Sequence, residues 1–285
     1  QSFEKRTLQD PLKRLTARAL MTLLACSPTA QSYAAKGLID SSVEQLKQIH
    51  SHLHLKSIRP GKASHSKKEV GYLKEVKLTA EILRSALYCN NECKVAAMDA
   101  RLTPTLYALW PWLLLDDPTM EAVLELLCVY TANCSSLCGS SLSGAPGSKG
   151  SSNTSLMNSV MKLTSLAPDN SPIQNLCFSL LTNLAVSRDC RCALQKLLAE
   201  LAPHRQHALL TLHNLCFSPA NKSHIMANKA MKVLLSCLDS KEIETCCIGA
   251  SALWALLHNN QRAKAALKCP SVRLKIQEAL TIFKQ

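Results

Sequence analysis

Three histidines at alternate positions, His50, His52 and His54, come nearest to a metal motif in this 285-residue chain. On a helix only His50 and His54 share a face, and imidazoles four residues apart can chelate zinc, but no Cys, Asp or Glu is close enough in sequence to complete the set. The histidines therefore read as a solvated polar face. The cysteines, fourteen in all, pair at the wrong spacings for zinc or dithiol chemistry. Cys89 with Cys93 and Cys134 with Cys138 lie four apart, Cys190 with Cys192 two apart, and Cys246 is adjacent to Cys247, so no Cys-x-x-Cys occurs. Gly61-Lys62 is followed by Ala63 without the upstream glycine of a phosphate loop, and Gly-x-Ser-x-Gly is absent. Asp116-Asp117, ahead of Pro118, is a helix N-cap signal rather than an acid/base couple, because carboxylates favour the orphan amides of a first turn. The chain reads as non-catalytic, with no cofactor, no metal and no small-molecule substrate.

The elements that carry these residues are helical. Leucine occurs 49 times against 10 valines and 10 isoleucines, and γ-branched chains suit helices where β-branched ones suit strands. Four of the eight glycines crowd between Gly139 and Gly150, leaving little material elsewhere for nucleotide-binding turns. Val76, Ala80, Leu83 and Leu87 form one apolar stripe, and Leu180 and Leu184, flanked by Phe178, Leu181 and Ala185, form another. The run Leu106 to Leu115 is ten residues long and contains Pro111, too short to span a bilayer, so no membrane insertion is expected. Arg18 followed by Ala19 to Cys26 reads as an ordinary helix rather than a signal peptide, and Gln1 as the start of a fragment. The cysteines at 128, 177, 216 and 237 fall inside apolar helical periodicity, which predicts reduced, buried thiols of an intracellular protein.

A corner recurs along the chain. Ser27-Pro28 and Ser218-Pro219 each end an apolar helix and lead into another, expected at Tyr33 to Ile39 and at His224 to Val233. Ser187, leading to Cys190 to Leu198, Asn260, leading to Ala263 to Leu267, and Asn90, between a helix ending at Leu87 and one starting at Lys94, repeat the grammar, with Asn133 as a further candidate. Ser and Asn cap the incoming helix, and Pro cannot continue the outgoing one. Ser218 to Asn260 is 42 residues and Asn90 to Cys134 is 44, the armadillo/HEAT period. Longer gaps hold inserts: a basic segment over 56–68 and a Gly/Ser linker over 139–155 that lacks periodicity and is expected to be flexible. Ser187 to Ser218 is only 31 residues, too few for a complete unit. The expected organisation is an all-α, armadillo/HEAT-like solenoid: repeats over 1–138, the linker 139–155, and repeats over 156–285 with one unit truncated near 196–208. Each helix must bury its stripe against stacked neighbours.

His213-Asn-Leu-Cys-Phe-Ser-Pro-Ala-Asn-Lys222, the run from Gly249 to Leu267 with Trp254 inside it, Pro270-Ser271-Val272, Ser187-Arg188-Asp189-Cys190-Arg191 and Val129-Tyr130-Thr131-Ala132-Asn133 together resemble the C-terminal armadillo-like part of the rotatin family, very large proteins of centrioles and ciliary basal bodies. The resemblance implies a cytoplasmic, cytoskeletal protein at the centrosome and basal body, with roles in building cilia and in left–right patterning. It also implies further helices where this chain passes from Gln195-Lys196 almost directly to Leu209 to Phe217, as a spliced or mispredicted form would.

Partner choice rests on charge and on the groove of such solenoids. Net charge is +13 overall; residues 1–78 carry +8, residues 79–140 carry −4 and residues 141–285 carry +9. No acid falls between Glu244 and Glu278, where Arg262, Lys264, Lys268, Arg273 and Lys275 cluster. A protein partner with acidic segments is preferred; nucleic acid is disfavoured because interleaved aromatics and a recognised motif are missing. A nuclear-transport-like peptide adaptor and a nucleic-acid-binding helical repeat remain the alternatives, the first opposed by the want of acidic groove residues. Asn183, Asn214 and Trp254 belong to the helix that lines the inner groove in armadillo proteins, where Asn holds an extended peptide and Trp packs on it. Their competing roles are corner capping and repeat packing. Tyr107, Trp110 and Trp112 are assigned to the core between repeats.

Overall fold

A computed structural model describes residues 11–54, 67–133, 156–168, 171–185, 206–217, 219–227, 230–266, 268 and 270–282. All regular structure among them is helical, and the chain divides into two compact units, Gln1–Cys177 and Phe178–Gln285. The linker over 139–155, the helix expected at Cys190 to Leu198 and most of the segment 196–208 lie outside the described residues, as does the basic insert except for Lys67 and Lys68, which open a helix.

The first unit contains α1 (Pro11–Cys26), α2 (Pro28–Tyr33), a π-helical turn (Ala34–Leu38), α3 (Ile39–His54), α4 (Lys67–Leu87), α5 (Asn91–Asp99), α6 (Leu102–Leu113), α7 (Asp117–Thr131), α8 (Leu156–Leu166) and the first turns of α9 (Pro172–Ala185). The second holds the rest of α9, α10 (Gln206–Cys216), α11 (Pro219–Ala227), α12 (Ala230–Cys237), α13 (Ile243–Leu257), α14 (Gln261–Ala266) and α15 (Pro270–Ile282). In each unit one long helix per repeat stacks on its counterpart: α4 lies between α1 and α7, and α10 packs on α13. Val76, Ala80, Leu83 and Leu87 of the predicted stripe are fully buried and, with Leu73 and Ala86, form the core face of α4. Trp110 and Trp112 are core residues, with Tyr107 half-buried.

The corners follow the expected chemistry with shifted boundaries. Ser27 Oγ accepts from the Ala30 amide at 3.2 Å, Asn90 Oδ1 from Cys93 at 3.0 Å, Asp116 from Thr119 at 3.1 Å and Asn260 Oδ1 from Ala263 at 3.2 Å. Cys89, Asn133 and Asn259, each with φ between 52° and 56°, stop the preceding helices in the left-handed conformation. A helix starts directly after Ser27, at Pro28, not at Tyr33, and another at Pro219 rather than His224, because proline at the first helical positions is preorganised for the turn. The single helix expected over 224–233 is two, α11 and α12; α5 begins at Asn91, ahead of Lys94, and α14 at Gln261, ahead of Ala263.

Side chains four residues past the corners tie one repeat to the next. Gln31, 6% exposed, donates from Nε2 to the carbonyls of Ser85 at 3.3 Å and Tyr88 at 3.0 Å, at the end of α4, and accepts from Asn90 Nδ2 at 3.2 Å. Lys94, 2% exposed, donates from Nζ to the Ala132 carbonyl at 2.6 Å, past the end of α7. Lys222, 8% exposed, donates to the carbonyls of Ala255, at 2.8 Å, and His258, past the end of α13. Each donor satisfies carbonyls that a helix end leaves orphaned, and the ammonium groups also oppose the negative end of the helix dipole.

Candidate partner-binding surface on the second unit

α13 turns one side outward. Ile243, Cys247, Ser251 and Trp254 recur along it, with His258 just past its end, all exposed, because the opposite arc carries Cys246, Gly249, Ala252, Leu253 and Leu256 into the core. Trp254 is 62% exposed and stacks on the His258 ring with centroids 5.5 Å apart. The indole, supported on one face by a second ring, thus leaves most of its surface outside the packing between repeats.

Asn214 on α10 is engaged within the unit. Its Nδ2 donates to the Thr182 carbonyl at 3.2 Å and its Oδ1 lies 3.1 Å from His213 Nδ1, while His213 Nε2 meets Ser251 Oγ at 2.8 Å. The ring of His213 is also edge-on to Phe217, centroids 5.0 Å apart. Thr182 and Thr211 hydroxyls meet at 2.9 Å. A polar seam thus runs from α9 over α10 to α13, with half-buried Asn183 beside Thr182 on α9. Asn214 therefore acts in the seam that fixes the helix spacing.

The basic stretch divides. Lys264, Lys268 and Arg273 are exposed, whereas Lys275 forms an ion pair with Asp239. Arg262 occupies the second position of α14. Sequence reasoning missed His213, Ser251, His258 and Asp239: the two histidines adjoin Asn214 and the Asn260 corner and were legible as groove neighbours, but the Asp239–Lys275 pair spans 36 residues and has no sequence signal.

Among the described residues no group of three His, Cys, Asp or Glu side chains could hold a metal ion, and no helix is long and apolar enough to cross a membrane. The buried thiols are unreactive by environment. Burial pushes Cys177 and Cys216 up to about 12, Lys222 partly opposing it at Cys216; burial and then the neighbouring Cys177 push Cys128 to about 12. Cys177, Cys216 and Cys237 are core residues as expected, and Cys128 is half-buried.

No protein-family model matches the chain. Human rotatin is 41% identical over 352 aligned positions that include the whole of this chain and 16% of rotatin, and mouse rotatin is 40% identical over 351. The chain thus spans about a sixth of the length of these relatives, and an alignment of 352 positions against 285 residues leaves at least 67 positions that rotatin fills and this chain does not. A designed armadillo repeat protein superposes with a TM-score of 0.61 at 13% identity, over 87% of this chain and 95% of that one. Another, in complex with the peptide (KR)4, gives a TM-score of 0.63 at 13% identity over the same shares. The chain therefore has an armadillo-repeat fold and is similar to rotatin along its whole length, over 16% of the human protein.

Proposed function

We propose that this chain is a non-catalytic scaffold that holds an extended acidic segment of a protein partner on the outward side of α13, within the centriole and basal-body setting that its likeness to rotatin implies. Trp254 is the anchor, Lys268 and Arg273 supply the attracting charge, and Lys275 contributes less because Asp239 already answers it. The observation that carries the reading is the 62% exposed Trp254 beside a 33-residue window, 245–277, free of acids. Asn183 and Asn214 shape the surface through the seam between helices. In this reading the roles in ciliogenesis and left–right patterning follow from organising partners, with no chemistry on them.

Rim cations accelerate encounter and respond to salt, whereas a tryptophan anchor slows dissociation. Fluorescence anisotropy with an extended peptide of alternating Glu and Asp should show saturable, salt-sensitive binding. Lys268→Glu with Arg273→Glu should lower the association rate and flatten its salt dependence. Trp254→Ala should raise the dissociation rate, at a cost of about 2 kcal/mol. Equal binding of a basic peptide, or of single-stranded nucleic acid in preference to the acidic one, refutes the reading. Tagged chain that fails to co-localise with a centriolar marker in ciliated cells refutes the setting while leaving the surface intact.

A further inference from the structure

The second unit carries an aromatic–imidazole pair twice, in register. On α10 the His213 ring stands edge-on to Phe217, centroids 5.0 Å apart, and on α13 the Trp254 ring stacks on His258, centroids 5.5 Å apart. Position 213 lies 41 residues before 254, and 217 lies 41 before 258. Each pair therefore holds the same place, three residues before the last helical residue and one after it. The two helices also run side by side in the same sense. His213 Nε2 meets Ser251 Oγ, and Lys222, six residues past the end of α10, reaches the carbonyls of Ala255 and His258 at the end of α13. Phe217, 48% exposed, and Trp254, 62% exposed, accordingly stand one helix apart at the same end of the pair, each propped by its own imidazole.

The hydrogen bonds between them have one consistent direction. Asn214 Nδ2 donates to the Thr182 carbonyl, so its Oδ1 accepts from His213 Nδ1, and His213 Nε2 then accepts from the Ser251 hydroxyl. Ser251 has no proton left for a ligand. The Trp254 indole N–H, which has no acceptor among the described residues, is free to donate to one. A ligand suited to this surface brings apolar side chains and bare carbonyls.

Spacing selects its conformation. Packed helices lie about 8–10 Å apart. A β-strand repeats on one face every two residues, about 7 Å, or every four, about 13 Å, and neither matches. A polyproline II chain repeats every three residues, about 9 Å, and its carbonyls have no internal partner.

We propose that the second unit binds a proline-rich segment in the polyproline II conformation. The segment lies across α10 and α13 with prolines at i and i+3 on the rings of Phe217 and Trp254, and the indole N–H donates to one of its carbonyls. Acidic residues flank the prolines. These are chosen by charge, since positions 245–277 contain no acid and Lys264, Lys268 and Arg273 are exposed. A preformed helix of this kind also loses little conformational freedom on docking against aromatic rings. The inference rests on the acidic-partner reading above and specifies that partner's conformation and composition.

Fluorescence anisotropy on the full chain tests it with three peptides: six prolines between acidic pairs, the same peptide with alanine for every proline, and six prolines between serine pairs. The acidic proline peptide should bind about tenfold or more tighter than its alanine counterpart. Phe217→Ala should remove most of that advantage and leave the alanine peptide unchanged within about twofold. Trp254→Phe, which keeps a ring and drops the N–H, should cost the proline peptide about fivefold. Trp110 and Trp112 are buried, so a shift of intrinsic emission on adding the proline peptide reports on Trp254. Both substituted rings are exposed, and circular dichroism checks that each variant stays folded. Equal binding of the proline and alanine peptides, a Phe217→Ala variant that binds like wild type, or an unshifted emission overturns the proposal. If the alanine peptide meanwhile binds in a salt-sensitive way, the acidic-partner reading survives that failure. If serine flanks serve as well as acidic ones, the acidic-partner reading falls and the proline contact stands.

Discussion

Replacing Lys222 by methionine isolates what one buried ammonium does for this fold. The side chain is 8% exposed and its Nζ bridges the carbonyls of Ala255 and His258 at the end of α13. Two effects oppose. Burying an ammonium costs several kcal/mol, and apolar replacement of buried charge is often neutral. Against this, hydrogen bonds to a charged donor contribute about 1.5–3 kcal/mol each, and a cation at a helix C-terminus adds up to about 2. The acceptors decide the outcome. His258 is exposed, so water can take over its carbonyl, but Ala255 is 2% exposed and its carbonyl would be left with no substitute for the ammonium. One carbonyl that loses a buried partner costs about 1–3 kcal/mol, so Lys222→Met should destabilise by about 2 kcal/mol, a fall in Tm of roughly 4–8 °C. Lys222→Gln should lose less than about 1 kcal/mol, since a neutral amide in the Gln31 position bridges two carbonyls in the same register. Urea denaturation with an unchanged m-value measures both. A second reading accompanies it: Lys222 holds the Cys216 thiol below where burial alone would put it, so the methionine variant should alkylate more slowly at Cys216. Equal stability of the methionine, glutamine and wild-type chains would refute the argument, showing that desolvation cancels the bonds.

Gly249→Ala should destabilise by about 1–3 kcal/mol, in spite of alanine's better helix propensity, because the added Cβ would stand 2.6 Å from Cys237 Cβ and 3.3 Å from the Leu234 carbonyl; a thermal melt reads the sign. Thiol labelling at neutral pH, mapped by mass spectrometry, should modify exposed Cys26, Cys89 and Cys247 well before Cys128, Cys177 and Cys216. Those three thiols have folded pKa values near 12 against 9.0 for the unfolded thiol, so the unfolded chain ionises first; stability is intact below pH 9 and should fall as pH rises from 9 toward 12. The loss at one unit above the unfolded value is about 1.4 kcal/mol per thiol, and replacing one by alanine should shallow the alkaline slope. The Arg84–Glu125 pair is about 40% exposed on both sides, so a double-mutant cycle should return no more than about 1 kcal/mol.

The sequence alone determined that the chain is helical and repeating. The excess of leucine over β-branched residues, the stripe through Val76 and Leu87, and the Ser and Asn corners 42 to 44 residues apart are local signals, set by propensity, periodicity and capping, and the structure realises them. It also marked Asn214 and Trp254 as residues of the helix that lines the inner groove in armadillo proteins. What sequence left open is which way each points and what it touches. Asn214 is spent on the Thr182 carbonyl while Trp254 faces outward, although both lie in the last turns of the helix before their corner; only the packing around α10 and α13 shows what each touches. Lysines read alike in the sequence, too: Lys94 and Lys222 are buried against helix ends, Lys275 is paired with Asp239, and Lys264 and Lys268 are exposed. A charge acquires its role from the carbonyls, carboxylates and water around it, and in a solenoid those come from the next repeat, some 40 residues away in the chain, so only tertiary stacking could assign them.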